Sequence, residues 1–189
     1  VYKRQGGDIE ISAGATSTAN GETGGKLSLM SGKSTATSSG DIEIASAAAG
    51  AAGVSGKIEM VTGASATAGA SGLINIATGT SKDGASGLLS LSTGAATDDD
   101  DDDSGAILIG TGTAKGSSGA ITISGGTGSG GAGGALTLSA GAVATATAKG
   151  GDVAITSGHS AADSSGDMVL VTAAGGTLTG LVRMSSGVA

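Results

Sequence analysis

Six consecutive carboxylates, Asp98, Asp99, Asp100, Asp101, Asp102 and Asp103, form the densest cluster of chemically capable side chains in the sequence. Adjacent like charges repel, and a hard cation such as Ca2+ relieves that repulsion because it prefers several oxygens at once. The run is therefore the expected place for a weak Ca2+ or mineral contact. It lacks the Gly and the spacing of an EF-hand loop, and a solvated acidic loop accounts for the same residues without any ligand. No other cofactor is expected.

The remaining motifs carry less chemistry. Gly128-Ser129-Gly130-Gly131-Ala132-Gly133 matches G-x-G-x-x-G, but a dinucleotide site needs a helix after it, and an alternating strand pattern follows instead. Gly32-Lys33-Ser34 resembles the end of a phosphate-binding loop, yet Leu27 stands where the first Gly of that motif belongs. His159 has Ser160 beside it and Asp163 nearby. A triad needs its His held by a supporting scaffold, so a solvent-exposed corner is the expected reading. Lys3-Arg4 fits a dibasic processing site in a secretory route, and two adjacent basic residues also arise by chance.

Composition narrows the field further. Of 189 residues, 39 are Gly, 27 Ser and 22 Thr, and there is no Pro, Cys, Trp or Phe. Without Cys there is no disulfide framework, thiolate metal site or Cys nucleophile. A single His and a single Tyr leave no basis for a two-His site or an aromatic sugar-binding platform. A carbohydrate-active groove would need acids, Arg and aromatics together, which this sequence cannot assemble. The chain reads as no enzyme. The formal net charge is −7, but the six-Asp run supplies −6 of it and leaves about −1 for the rest. Nothing basic or clustered suggests nucleic acid. No run of 18 apolar residues is present, so no membrane-spanning helix is expected. The N-terminal Val1-Tyr2-Lys3-Arg4-Gln5 is not a signal peptide and carries no initiator Met, which suggests a mature product or a piece of a longer chain.

The aliphatic residues supply the organisation. They stand in pairs two residues apart after a leading Gly, as in Gly7-Asp8-Ile9-Glu10-Ile11 and Gly25-Lys26-Leu27-Ser28-Leu29. Twelve such copies lead with glycines 7, 25, 40, 56, 72, 87, 105, 119, 134, 151, 166 and 180, spaced 14 to 18 residues apart. A sustained period of this kind marks a repeat architecture. Period-2 alternation predicts a strand with one buried face. A small third residue follows, Thr in Thr62, Thr78, Thr93 and Thr111, and then commonly a Gly, which suits a sharp corner with positive φ. The Ala, Ser and Thr stretch after it, as in Ala142-Val143-Ala144-Thr145-Ala146-Thr147-Ala148, reads as a second strand. Gly at this density argues against helix.

The predicted fold is therefore all-β: residues 1–189 as one uncapped parallel β-solenoid of about twelve coils, one 14–18-residue repeat per coil, with 98–103 as an acidic loop insertion. Two repeats per coil, giving about six coils, is the alternative. One per coil lets Asp8, Lys26, Asp41 and Lys57 alternate in sign and brings Leu73 against Leu88; two per coil opposes like charges, which destabilises a sheet. Asp152 beside Asp167 counts the other way, and the shared Asp-Ile-Glu-Ile of the first and third copies hints at a doubled unit.

The unit S-G-x-[IL]-x-[IL]-x-[ST]-G, seen at Ser71–Gly79 and Ser86–Gly94, resembles repeats of very large secreted or cell-surface structural proteins of algae. The resemblance implies an extended solenoid with a structural or adhesive role, and no catalytic residue comes with it. The expected function is a subunit or segment of an extracellular fibre or cell-wall filament, self-associating end to end, with other cell-wall components as further partners and an extracellular or cell-surface location. An adhesive, ice-binding or mineral-binding module, using the acidic loop or a Thr-rich face, is the alternative.

Overall fold

The computed structural model describes residues 6–17, 22–66, 69–97, 103–144 and 148–187. Among these there is no helix and no strand; the backbone is coil interrupted by bends and one turn. This overturns the predicted β-solenoid in both its forms. Its physical basis was period-2 alternation, which requires strand partners within the chain, and no backbone hydrogen bond joins one aliphatic segment to another among the described residues. The second strand predicted after each corner is absent too: Ala144 and Ala148 lie at bends, and Thr145-Ala146-Thr147 fall outside the described residues.

The repeat nevertheless has a regular structural form. Each copy is a seven-residue arm followed by a loop. The arms are 7–13, 25–31, 40–46, 56–62, 72–78, 87–93, 105–111, 119–125, 134–140, 151–157, 166–172 and 180–186. No arm contains a bend, and every described bend or turn falls in a loop between arms. The arm length is constant, so the whole variation in repeat spacing lies in the loops, which run from 7 to 11 residues. The chain divides into two units, Val1–Leu91 and Ser92–Ala189. The first holds six aliphatic pairs and the second holds the other six.

What closes each loop is the approach of the next arm's leading Gly to the last residue of the arm before it. A Cβ on Gly25 would lie 3.4 Å from Ala13 Cβ, one on Gly72 3.3 Å from Thr62 Cγ2, and one on Gly180 3.3 Å from Thr172 Cγ2. The same junction recurs at Gly40 with Ser31, Gly56 with Ser46, Gly87 with Thr78, Gly105 with Thr93, Gly119 with Thr111, Gly151 with Ala140 and Gly166 with Ser157. At Gly25, Gly72, Gly134, Gly151 and Gly180 an added Cβ would come within 3.2–3.3 Å of a neighbouring atom, so there the missing side chain eases the approach; at the other junctions it would meet only ordinary van der Waals contact.

Ten of the eleven junctions are of two kinds. Five are closed by a backbone hydrogen bond: the amides of Gly25, Gly40, Gly134, Gly151 and Gly166 donate to the carbonyls of Gly14, Gly32, Gly126, Gly141 and Gly158 at 2.8–3.0 Å. In all five the arm ends in Ala, Ser or Gly and a Gly follows it. Where the arm ends in Thr, at Thr62, Thr78, Thr93, Thr111 and Thr172, the Thr methyl sits against the leading Gly instead. No such bond forms there among the described residues. At Gly56, whose preceding arm ends in Ser46 followed by Ala47, no closing bond forms either, so every closing bond accompanies an arm that ends without Thr and is followed by Gly. Thr62→Ala is accordingly expected to let the Gly72 amide reach the Gly63 carbonyl. The measurement is the temperature coefficient of the Gly72 amide proton, which should move to the value shown by Gly25 and Gly166; an unchanged coefficient would remove the methyl from the explanation.

The corner glycines are not in the left-handed region expected of them. Among the described glycines only Gly69 has positive φ, at 140°, and it lies inside the loop 63–71. The glycines at 14, 32, 126, 141 and 158 act as carbonyl acceptors rather than as left-handed corners.

No described residue is buried. The alternation survives as a graded exposure: the first members of the aliphatic pairs, such as Leu27 at 53% and Ile121 at 52%, are half covered, while the apolar residues between pairs, such as Leu88 at 89% and Leu108 at 95%, stand in solvent. Ile9 is 91% exposed, and its leading Gly7 is the one with nothing near its Cβ position. The partial cover of the first member of a pair therefore accompanies the junction, while second members such as Ile11 at 68% and Ile44 at 67% are alike with and without it.

Candidate functional site

Asp98, Asp99, Asp100, Asp101 and Asp102 lie outside the described residues; Asp103 is described and exposed. Among the described residues no group of three His, Cys, Asp or Glu side chains converges to hold a metal ion. The described residues form no pocket either. The Ca2+ contact therefore rests on sequence alone.

His159, Ser160 and Asp163 do not assemble as a triad. The Ser160 hydroxyl oxygen accepts the Asp163 amide at 3.0 Å, and Asp163 Oδ1 accepts the Ser164 amide at 2.8 Å. Both oxygens are thus engaged with local backbone in the loop after Gly158. His159 stands exposed. Ser34 behaves in the same way. Its Oγ accepts the Thr37 amide at 2.9 Å and the Ala36 amide at 3.3 Å, and it shares a hydrogen bond with Thr37 Oγ1. Ser81 accepts the Gly84 amide at 3.2 Å. These are Ser-initiated turns, in which the hydroxyl supplies the backbone partner that a helix or sheet would otherwise give. The Gly128–Gly133 segment is a tight loop in which a Cβ on Gly128 would come within 2.6 Å of the Gly131 carbonyl. It leads into the arm 134–140, with no helix to receive a pyrophosphate. Lys3 and Arg4 fall outside the described residues.

Charged side chains pair with near sequence neighbours, within one arm or between a loop and the arm after it. Lys57 reaches Glu59 at 2.5 Å, two residues along the same arm, and Lys149 reaches Asp152 at 2.7 Å. The predicted alternation of Asp41 with Lys57 between copies is not the pairing found, and Asp152 is partnered by Lys149. All four side chains are more than half exposed, where such pairs contribute little. No helix of the described residues is long and apolar enough to cross a membrane.

The feature that does recur is the arm itself, with its aliphatic pair left in solvent. Contiguous exposed apolar surface beyond a few hundred Å2 marks an interaction surface. The Thr side chains at the arm ends do not extend it, since the methyls of Thr62, Thr78, Thr93 and Thr111 are turned to the junctions. Sequence reasoning missed the junction. Its signal was present: the distance from leading Gly to the small third residue is fixed at every copy, while the distance to the next Gly is not. No family model, curated protein or solved structure matches this chain.

Proposed function

We propose that the protein is a structural one: a self-associating subunit or segment of an extracellular fibre or cell-wall filament that works by repetition of a surface rather than by a catalytic site. The observation that carries this reading is the twelve-fold recurrence of one exposed aliphatic pair on a fixed-length arm. Apolar surface that a chain leaves in water is covered most readily by another chain with the same pattern. The sequence supports the absence of catalysis, since it has one His, no Cys and almost no aromatic residues.

Sedimentation velocity and electron microscopy across a wide concentration range test the proposal. Filamentous species should appear and grow as concentration rises. Monomers persisting at every concentration would refute it.

A further inference from the structure

We infer that the arms are the assembly element: each pairs edge to edge, through its own backbone, with an arm of a second copy of the chain, so that strand order is acquired between chains and not within one. This rests on the reading of the protein as self-associating.

Four observations lead there. First, beyond the leading glycines the arm backbones have no backbone partner among the described residues. The leading amides of Gly25, Gly40, Gly134, Gly151 and Gly166 close loops, but no backbone hydrogen bond joins an aliphatic segment to any other among the described residues, no arm bends, and the absence of Pro leaves every other arm residue an amide. A straight segment with free donors and acceptors is a template for a strand from another chain. Second, the same segments carry the exposed aliphatic pairs. Twenty-four such side chains at on the order of 100 Å2 each amount to roughly 2,400 Å2 on one chain, against the roughly 800 Å2 that each partner contributes to a typical stable interface. Third, all arms have seven residues, so any arm fits any other in register while loops of 7 to 11 residues stand aside. Fourth, many weak arm pairings on one chain reinforce each other, because after the first the rest are intramolecular.

Charge selects where pairing begins. The five consecutive arms 72–78, 87–93, 105–111, 119–125 and 134–140 contain no charged residue. The first four arms carry Asp8, Glu10, Lys26, Asp41, Glu43, Lys57 and Glu59, and the last three carry Asp152, Asp167 and Arg183. In-register pairing of like arms would oppose like charges in those seven, which destabilises a sheet. The five neutral arms meet no such penalty. Gly105-Ala106-Ile107-Leu108-Ile109 and Ala120-Ile121-Thr122-Ile123 have the short, uncharged, β-favouring character that pairs between chains.

The test compares three forms of the full chain. One places Pro at the centre of the five neutral arms: Asn75→Pro, Ser90→Pro, Leu108→Pro, Thr122→Pro and Thr137→Pro. A control places five in loops: Ala64→Pro, Ala85→Pro, Ala96→Pro, Ala114→Pro and Ala142→Pro. Neither set removes an amide that donates a closing bond, so the single-chain structure is not at stake. The parent and the loop control should assemble alike, gain a β-type amide I band on assembly, and give a 4.7–4.8 Å spacing in fibre diffraction. The arm variant should need at least a tenfold higher concentration. If the arm variant assembles like the parent, or the parent's assemblies keep a coil band and lack that spacing, arm pairing is overturned while self-association stands. If the parent never assembles, both fall.

Discussion

Heating a dilute solution of the protein should produce no cooperative heat-absorption peak. The accessible surface is 18783 Å2. For a chain of 17.1 kDa, a compact monomer would expose about 7,800 Å2 and the unfolded chain about 25,000 Å2. The single chain thus removes from water roughly a third of what a compact domain of its mass removes. With no buried side chain among the described residues, no core exists to melt as a unit, and the five closing hydrogen bonds each open independently. A compact domain of this length would absorb about 130 kcal/mol at its midpoint, at about 0.7 kcal/mol per residue. Differential scanning calorimetry below the assembly threshold decides the matter: a flat trace is expected, and a sharp endotherm of that size would mean that the arms are packed within one chain.

Replacing Asp98 through Asp103 with Asn should lower the concentration at which the chain associates by tenfold or more at low salt. The run supplies six of the seven net negative charges, and its removal leaves a chain near neutrality. Chains with net charge near zero associate and precipitate, whereas charge of one sign keeps copies apart. The parent's threshold should fall with added salt, since screening shortens the range of that repulsion; the variant's should hardly move. Light scattering against salt concentration separates the two. Millimolar Ca2+ distinguishes a bound cation from general screening: if the carboxylates hold Ca2+, the parent associates at a far lower ionic strength of CaCl2 than of NaCl, and the variant does not. Equal thresholds for parent and variant would show that the run has no part in association.

Part of the architecture was legible from residues alone. The twelve Gly-led pairs at Ile9 and Ile11 through Val182 and Met184 give the number of arms and their starts, and the small residues at Ala13, Ser31 or Thr62 mark their ends. What could not be read was the partner of each arm. Alternation of Ile42 and Ile44 with Asp41 and Glu43 says that one face is more apolar than the other. It does not say whether the covering surface belongs to the same chain, because strand preference reflects packing against neighbours rather than backbone alone. Charge order misled for a related reason. Asp41 and Lys57 look complementary between copies, yet Glu59 lies two residues from Lys57 on the same side of the arm, and the local partner is reached without any loop closure. The corner glycines misled because one residue type serves two needs. Gly14 and Gly158 supply accessible carbonyls for the junction, whereas among the described glycines only Gly69 uses the left-handed region.

The closed loops also have a mechanical meaning. The junctions at Gly25, Gly40, Gly134, Gly151 and Gly166 each hold a loop shut with one exposed hydrogen bond, a link contributing about 0.5–1.5 kcal/mol. Under tension along the chain such links part before any covalent bond is strained. Each then pays out a slack of 8 to 11 residues, roughly 25–40 Å at 3.3–3.6 Å per residue. The links can re-form once the load is removed. Where an arm ends in Thr the slack is already free. The residue that ends each arm and the one after it therefore set how many reversible sacrificial links a given length of chain contains, and hence how it yields before it stiffens.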